Sequence, residues 1–168
     1  MPNHVYNVIS VEEKYADKLK EITEVGLCMY YKPMPKEIEL SRSPVRVVSE
    51  EEYQKALTSR EVSLGLPITV QMQDDLIKKY GFDNWYDWSI HNWGTKWRVY
   101  DEEYDNGRYS FSTAWSPPSD SIIEMLAKDI PDFSYCWEEE QGYGHDMLFM
   151  NGKKVEDKYF ETTYHYDE

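Results

Sequence analysis

Apolar and polar residues alternate with a period of two at the start of the chain. Over residues 4–10, Val5 and Ile9 fall on one side of the backbone and Tyr6 and Val8 on the other. A short run that is apolar on both sides predicts a strand in the middle of a sheet.

A helix is predicted directly after this strand. Ser10 and Glu13 have the spacing of a capping box, in which each side chain satisfies a backbone N–H at the helix start. Gly26 is placed to end the helix in a left-handed conformation. We also expect a strand over residues 27–31.

Residues 36–95 lose the two-residue period and predict a helical insertion. Ser49 and Thr69 each precede an apolar stripe of helical spacing and are predicted N-caps. The insertion closes with an aromatic stretch in which Trp85 and Trp88 share one helix face. Such a group of indoles predicts either a core where helix and sheet meet or an aromatic surface that holds a ligand.

The period of two returns after the aromatic stretch. Residues 96–104 and 108–115 alternate around Asn106-Gly107, the strongest local signal for a hairpin. Trp97 opens the first of these strands and Trp115 closes the second. We expect both indoles to point inward from neighbouring antiparallel strands.

The remaining pattern predicts one helix and a second hairpin. Ser119 is placed to cap a helix that Pro131 ends, and residues 133–137 and 147–150 alternate as strands. Asn151-Gly152 predicts the turn into a final segment. That segment holds Tyr159, Phe160, Tyr164 and Tyr166.

This order of elements predicts an α+β fold. We expect a ferredoxin-like antiparallel sheet with helices on one face, a helical insertion after the first helix, and an added C-terminal strand pair. Residues 1–168 are predicted to form a single domain, with 36–95 as an insertion within it.

Charge narrows the classes of function. The chain has 32 acidic and 18 basic residues, a formal charge of -14, which argues against direct nucleic-acid binding because affinity for phosphates comes from Lys and Arg. The segment 96–168 holds 17 acids and 7 bases, so it carries most of the net negative charge. The electric field of that charge could steer a basic partner.

The sequence favours a soluble cytoplasmic protein without a membrane segment. No apolar run is long enough to span a bilayer, and the N-terminus lacks the zones of a signal peptide. Cys28 and Cys136 lie far apart in apolar or strand-like contexts, which predicts free thiols in a reducing compartment.

No catalytic signature is present, so an enzyme is the less favoured class. The four histidines have no metal-ligand spacing, and Cys136 has no basic neighbour to lower its pKa. His145 and Asp146 are a weak candidate ligand or base pair, because adjacent strand residues point to opposite faces. Residues 142–144 predict a turn, and neither cofactor nor metal is expected.

Two acidic runs are the candidate partner-binding residues. They are Asp101, Glu102, Glu103, Tyr104 and Asp105, and Glu138, Glu139 and Glu140. Both runs lie toward ends of predicted strands, where charge can simply prevent edge-to-edge aggregation. Alternatively, they form a negative surface with interleaved Tyr that occupies a basic channel of a nucleic-acid-handling protein. A divalent metal is a third interpretation, without the loop spacing of a calcium site.

Several short motifs of the sequence resemble those of a known family. Residues 92–97 (Asn-Trp-Gly-Thr-Lys-Trp) and 111–118 (Phe-Ser-Thr-Ala-Trp-Ser-Pro-Pro) are similar to the YubB-type, Api-like family of plasmid- and phage-encoded proteins. The motifs at residues 2–7 and 32–37 extend the likeness along most of the chain. The resemblance implies a ferredoxin-like fold and a mobile-element origin, and it implies no activity or cofactor.

These observations lead to two hypotheses. The first is a non-enzymatic acidic protein that docks on a host protein with a basic surface and inhibits a nucleic-acid-directed defence or regulatory factor. The second is a small-molecule or nucleotide binder with an aromatic pocket. Its predicted pocket residues are Trp88, Trp93, Trp97 and Trp115.

Overall fold

The structure, a computed structural model, describes residues 3–59 and 65–162. Its strands are β1 (His4–Ser10), β2 (Tyr100–Asp105), β3 (Arg108–Ala114), β4 (Phe133–Glu139), β5 (Tyr143–Met150) and β6 (Lys153–Glu161). Its helices are α1 (Glu13–Val25), α2 (Leu27–Tyr31), α3 (Lys36–Glu39), α4 (Glu50–Thr58), α5 (Val70–Tyr80), α6 (Trp85–Trp93) and α7 (Asp120–Asp129). Tyr164 and Tyr166 of the predicted final segment lie outside the described residues.

The strands form one antiparallel sheet in the order β2-β3-β1-β4-β5-β6. The first four strands of this order, with α1 between β1 and β2 and α7 between β3 and β4, make a ferredoxin-like arrangement. The β5–β6 hairpin extends the sheet beyond β4. The predicted fold class and the added C-terminal strand pair are therefore confirmed.

Strand register divides the sheet into two faces. We call the side that carries Val5, Asn7 and Ile9 the inner face; α1 contacts β2 and β3, and α2 contacts α7. Apolar side chains fill the space on the inner face. Among them, Leu19 and Ile22 of α1 are fully buried. Apolar side chains of the sheet and of α1 thus form the core of this part of the chain.

A buried polar chain ties three central strands together on the inner face. The Tyr135 hydroxyl on β4 donates to Asn7 Oδ1 on β1 over 2.7 Å. Asn7 Nδ2 in turn donates to Thr113 Oγ1 on β3 over 3.1 Å. Because each group has a partner, burial of these polar side chains is compatible with a stable core.

Two predictions near the N-terminus are wrong. Residues 27–31 form α2 instead of a strand, because Gly26 (φ 94°) reverses the chain and Tyr30 N–H donates to its carbonyl. Ser10 does not cap α1: it is the last residue of β1, and Glu12 occupies the N-cap without a side-chain hydrogen bond.

Residues 33–92 form one compact unit, and the flanking segments that carry the sheet form the other. Within residues 33–92, Ser49 accepts a hydrogen bond from Glu52 N–H and Thr69 accepts one from Met72 N–H, as their spacing predicted. Gly81 ends α5 in the left-handed conformation. These two caps set the helix starts locally.

Candidate functional site

The outer face of the sheet, opposite the inner face, is the candidate site. It carries the side chains of Tyr6, Val8, Tyr100, Glu103, Glu138 and Phe160. Paired residues on neighbouring antiparallel strands point to the same side, so the register assigns each of them.

Part of the β2 acidic run lies on this outer face. Glu103 pairs with Ser110 and Asp105 pairs with Arg108, both of which alternate with the buried inner residues of β3. Asp101 is exposed at a β-bulge between Tyr100 and Glu103, where its φ is 49°. The bulge adds a residue to the strand and so turns neighbouring side chains out of simple alternation.

The other two residues of the run are held on the inner side. The Tyr109 hydroxyl donates a hydrogen bond to the Glu102 carboxylate. The Tyr104 hydroxyl donates to the Ala16 carbonyl of α1 over 2.8 Å. These contacts connect β2 to the helical layer, so the structure does not bring Glu102 and Tyr104 onto the outer face with Glu103 and Asp105.

The second run also splits. Glu138 pairs with Tyr6 of β1 and therefore points to the outer face. The Glu140 carboxylate, one residue beyond β4, accepts from the His4 backbone N–H over 3.1 Å. Both carboxylates flank β1 at the end of the sheet where β2 begins.

Glu139, a predicted partner-binding residue, is buried. Its side chain is only 3% exposed, and its carboxylate accepts from the Gln141 N–H over 2.7 Å. This contact closes the turn that leaves β4. Alternation along β4 places Glu139 on the inner face, so it is structural and not available to a partner.

A single row of residues leads from Tyr100, directly before the first acidic run, to Glu138 of the second run. In register order across the sheet, the row is Tyr100, Ser112, Tyr6, Glu138, Gly144 and Phe160. Tyr6 is 54% exposed at its centre. Three strand spacings separate Tyr100 from Glu138, about 14 Å, so a partner could contact both runs and the tyrosines at once.

Charges from both acidic runs affect the pKa of Tyr100. Its hydroxyl lies 2.5 Å from His4 Nδ1. Partial burial raises the pKa of Tyr100, and the charges of Asp101 and Glu140, one from each run, raise that pKa further. The two runs therefore act on one point of the outer face.

The four predicted pocket tryptophans do not form the expected open pocket. Trp93 is only 1% exposed, and its indole N–H donates to the Lys32 carbonyl over 2.8 Å. Trp88 is also buried within α6. Each of these two side chains is buried and is not open to a ligand.

Trp97 and Trp115 were predicted to be inward, and that is wrong. They are 38% and 42% exposed. Trp97 precedes β2, which begins at Tyr100, and Trp115 has a φ of 72°, which turns it out of β3. The Lys96 ammonium lies 5.0 Å from the Trp97 ring centroid and 4.8 Å from the Trp115 ring centroid, so a cation joins the indoles.

His145 has a different acidic partner from the one predicted. Asp146 points to the outer face opposite Lys158, whereas His145 Nδ1 lies 2.6 Å from Asp157 Oδ1 on β6. The Asp157 carboxylate also accepts from Lys154 Nζ over 2.7 Å. Hydrogen bonds from Lys154 and His145 lower the pKa of Asp157.

Sequence reasoning missed Asp157 because the β5–β6 register shifts by one residue between Leu148 and Phe149. Extrapolation from the Asn151-Gly152 turn alone would pair His145 with Lys158 and place Asp157 on the other face. A one-residue shift exchanges the faces of every residue beyond it. The alternation of charged residues on β6 was the available signal, and it does not locate a bulge.

The remaining reactive groups show no activation. Both cysteines are free thiols. Burial raises the pKa of Cys28 to about 12, and it raises the pKa of Cys136 as well. Across residues 3–59 and 65–162, no group of His, Cys, Asp and Glu is placed to hold a metal ion, and no helix is long and apolar enough to cross a membrane.

Residues 92–168 match the family model of the ferredoxin-like domain in Api92-like protein. Within the described residues, the matched segment contains β2 to β6 and α7.

The crystal structure of protein api92 from Yersinia pseudotuberculosis is similar to the whole fold, with a TM-score of 0.52. It is 11% identical in sequence, and the match covers 97% of this chain and 99% of the api92 chain. At this identity the likeness to api92 concerns the fold alone. A search of the curated proteins gives no match.

Proposed function

We propose that this chain is a non-enzymatic binding protein of phage or plasmid origin that docks, through the outer face of its sheet, on a basic surface of a host protein in the host cytoplasm. The observation that supports this proposal is the row that joins Tyr100, Tyr6 and Glu138. With Glu103, which lies on the same face one row away, it places one carboxylate of each acidic run beside two tyrosines.

The charge of the outer face favours a basic partner. By register, five carboxylates point to it, namely Glu103, Asp105, Glu138, Asp146 and Glu156, against the basic side chains Arg108 and Lys158. An excess of one sign accelerates association with a partner of the opposite sign. Exposed tyrosine adds apolar contact area with few side-chain rotamers to restrict.

Nucleic-acid mimicry is the specific form of docking that we propose. Proteins that bind DNA or RNA neutralise phosphates with Lys and Arg. Carboxylates held on adjacent strands present negative charge to the same groove without a nucleic acid. The expected partner is therefore a nucleic-acid-directed defence or regulatory factor, which the docked protein inhibits by occupying its basic channel.

Affinity capture from host extract tests the docking surface. Wild-type protein at about 0.05 M salt should retain a basic host protein, and about 0.5 M salt should release it because screening shortens the range of the charges. The variant Glu103→Gln/Glu138→Gln should capture much less of the same protein. The control Glu51→Gln/Asp74→Asn removes two exposed charges from α4 and α5 and should capture it normally.

The outcome that contradicts docking is equal capture by the two double variants, or capture that salt does not change. Mimicry has its own test. Duplex DNA or RNA added to the captured complex should compete with the protein for its partner. A partner that binds no nucleic acid, or that stays bound in its presence, would contradict mimicry.

A further inference from the structure

A cavity of about 330 Å³ lies between α7 and the inner face of the added hairpin, away from the outer face. Its apolar lining comes from Ile123 of α7, Tyr135 and Trp137 of β4, and Met147 and Phe149 of β5. This volume falls at the small end of ligand pockets. The added strand pair thus supplies Met147 and Phe149, and β4 supplies the other two aromatic rings of the lining.

Ring contacts fix the floor of the cavity. Phe149 stacks on Phe133 with centroids 4.4 Å apart and an interplanar angle of 8°. Trp137 stacks on His145 with centroids 5.2 Å apart, and the contact between His145 and Asp157 holds that imidazole. Rings that are held in place lose little freedom when a flat ligand packs on them.

The rim carries opposite charges on opposite sides. Asp120 and Glu124 of α7 line one side, and Lys153 and Lys154 at the start of β6 line the other. The charge of Asp120 contributes to raising the pKa of Lys154, although the main cause is the hydrogen bond to Asp157. Asp120 and Lys154 are therefore within electrostatic reach of each other around the cavity.

We propose that this cavity binds an aromatic zwitterion, a compound with a flat ring, one amino group and one carboxylate, such as an aromatic amino acid. The ring packs against Trp137, Met147 and Phe149. The amino group faces Asp120 and Glu124, and the carboxylate faces Lys153 and Lys154. Nucleotide phosphates fit less well, because the two acids of α7 would repel them.

Isothermal titration calorimetry with four probes tests the charge pattern. L-Tryptophan carries both groups, tryptamine only the amine, indole-3-propionate only the carboxylate, and indole neither. We expect L-tryptophan to bind at least tenfold more tightly than either singly charged probe and indole to bind weakest, because a charge-assisted hydrogen bond contributes about a factor of ten or more.

Variants assign each end of the ligand. Asp120→Asn/Glu124→Gln should reduce the affinity for L-tryptophan about tenfold and leave that for indole-3-propionate unchanged or improved. Lys153→Gln, which keeps the Lys154–Asp157 ion pair, should weaken indole-3-propionate but not tryptamine. The controls Asp146→Asn and Lys158→Gln remove the same kinds of charge from the outer face and should leave all affinities unchanged.

Three results would overturn the proposal. They are no heat of binding for any probe at millimolar concentration, equal affinity for indole and L-tryptophan, and rim variants that bind as the wild type does. Thermal unfolding of each variant checks that it is folded. None of these results bears on docking by the outer face, whose residues lie on the opposite side of the sheet.

Discussion

Indole side chains in this protein divide according to the backbone conformation around them. Trp93 ends α6 with its N–H bonded to the Lys32 carbonyl and almost no exposed surface. Trp97 and Trp115 lie in irregular segments beside β2 and β3, and both rings make a cation–π contact with the Lys96 ammonium. Composition alone cannot separate these roles, because a tryptophan is common in both a core and an aromatic surface.

Stability measurements should separate the two roles. Trp93→Ala removes a fully buried ring and leaves the Lys32 carbonyl without its partner, so we expect the free energy of unfolding to fall by about 3–5 kcal/mol. Trp97→Ala removes a half-exposed ring and one cation–π contact, which should lower it by about 1–2 kcal/mol. Urea denaturation of both variants measures the difference; equal losses would contradict the assignment of Trp93 to the core.

Among the elements, β5 shows how a single glycine permits two strands to pair. Gly144 faces Glu138 of β4 and Phe160 of β6. A Cβ atom at this position would overlap the Trp137 carbonyl oxygen and lie 2.9 Å from Glu138 Cα. The sequence predicted a turn over residues 142–144, whereas the reversal ends at Gly142 and β5 begins at Tyr143. Gly144 therefore lies within the strand, where it allows close approach of backbone.

Gly144→Ala should therefore be strongly destabilising. The added methyl group cannot fit unless β5 moves away from β4, and we expect a loss of about 3 kcal/mol or more in unfolding free energy. Gly81→Ala is the comparison: a Cβ there meets nothing within 4 Å, and its φ of 80° should cost only about 1–2 kcal/mol. A loss at Gly144 no larger than that at Gly81 would contradict the close approach.

Much of the element order was predictable because its signals are local. The Asn106-Gly107 turn, the alternation of β3 and the caps at Ser49 and Thr69 depend on neighbouring residues only. The outward turn of Trp115 was not predictable, because it follows from a positive φ. The split of the acidic runs depends on a bulge and on register, which are properties of paired strands.

At the scale of the whole molecule, the sheet does not draw on residues 33–92. All six strands lie in the segments that flank this unit. The last residue before this unit and the first residue after it are in contact, because the Trp93 indole nitrogen lies 2.8 Å from the Lys32 carbonyl oxygen. That residues 36–95 are an insertion within one domain stays a prediction.

Replacement of residues 33–92 by a Gly/Ser linker tests that prediction. A flexible linker of about six residues has an r.m.s. span of about 13 Å, long enough to join the flanks without strain. We expect the shortened chain to keep a β-rich circular dichroism spectrum and a single cooperative urea transition. A scrambled-linker control of equal length should behave alike, and loss of cooperative unfolding would show that the sheet needs the excised unit.

The Cys28 thiol is a built-in probe of how often the core opens. Its sulfur is completely enclosed, and burial holds its pKa near 12, so alkylating reagents cannot reach a thiolate while the core is closed. Cys136 is only half-buried, so we expect it to react sooner. Mass spectrometry of the native protein should therefore show one added label long before a second, and the delay of the second label measures how often the interior exposes itself to solvent.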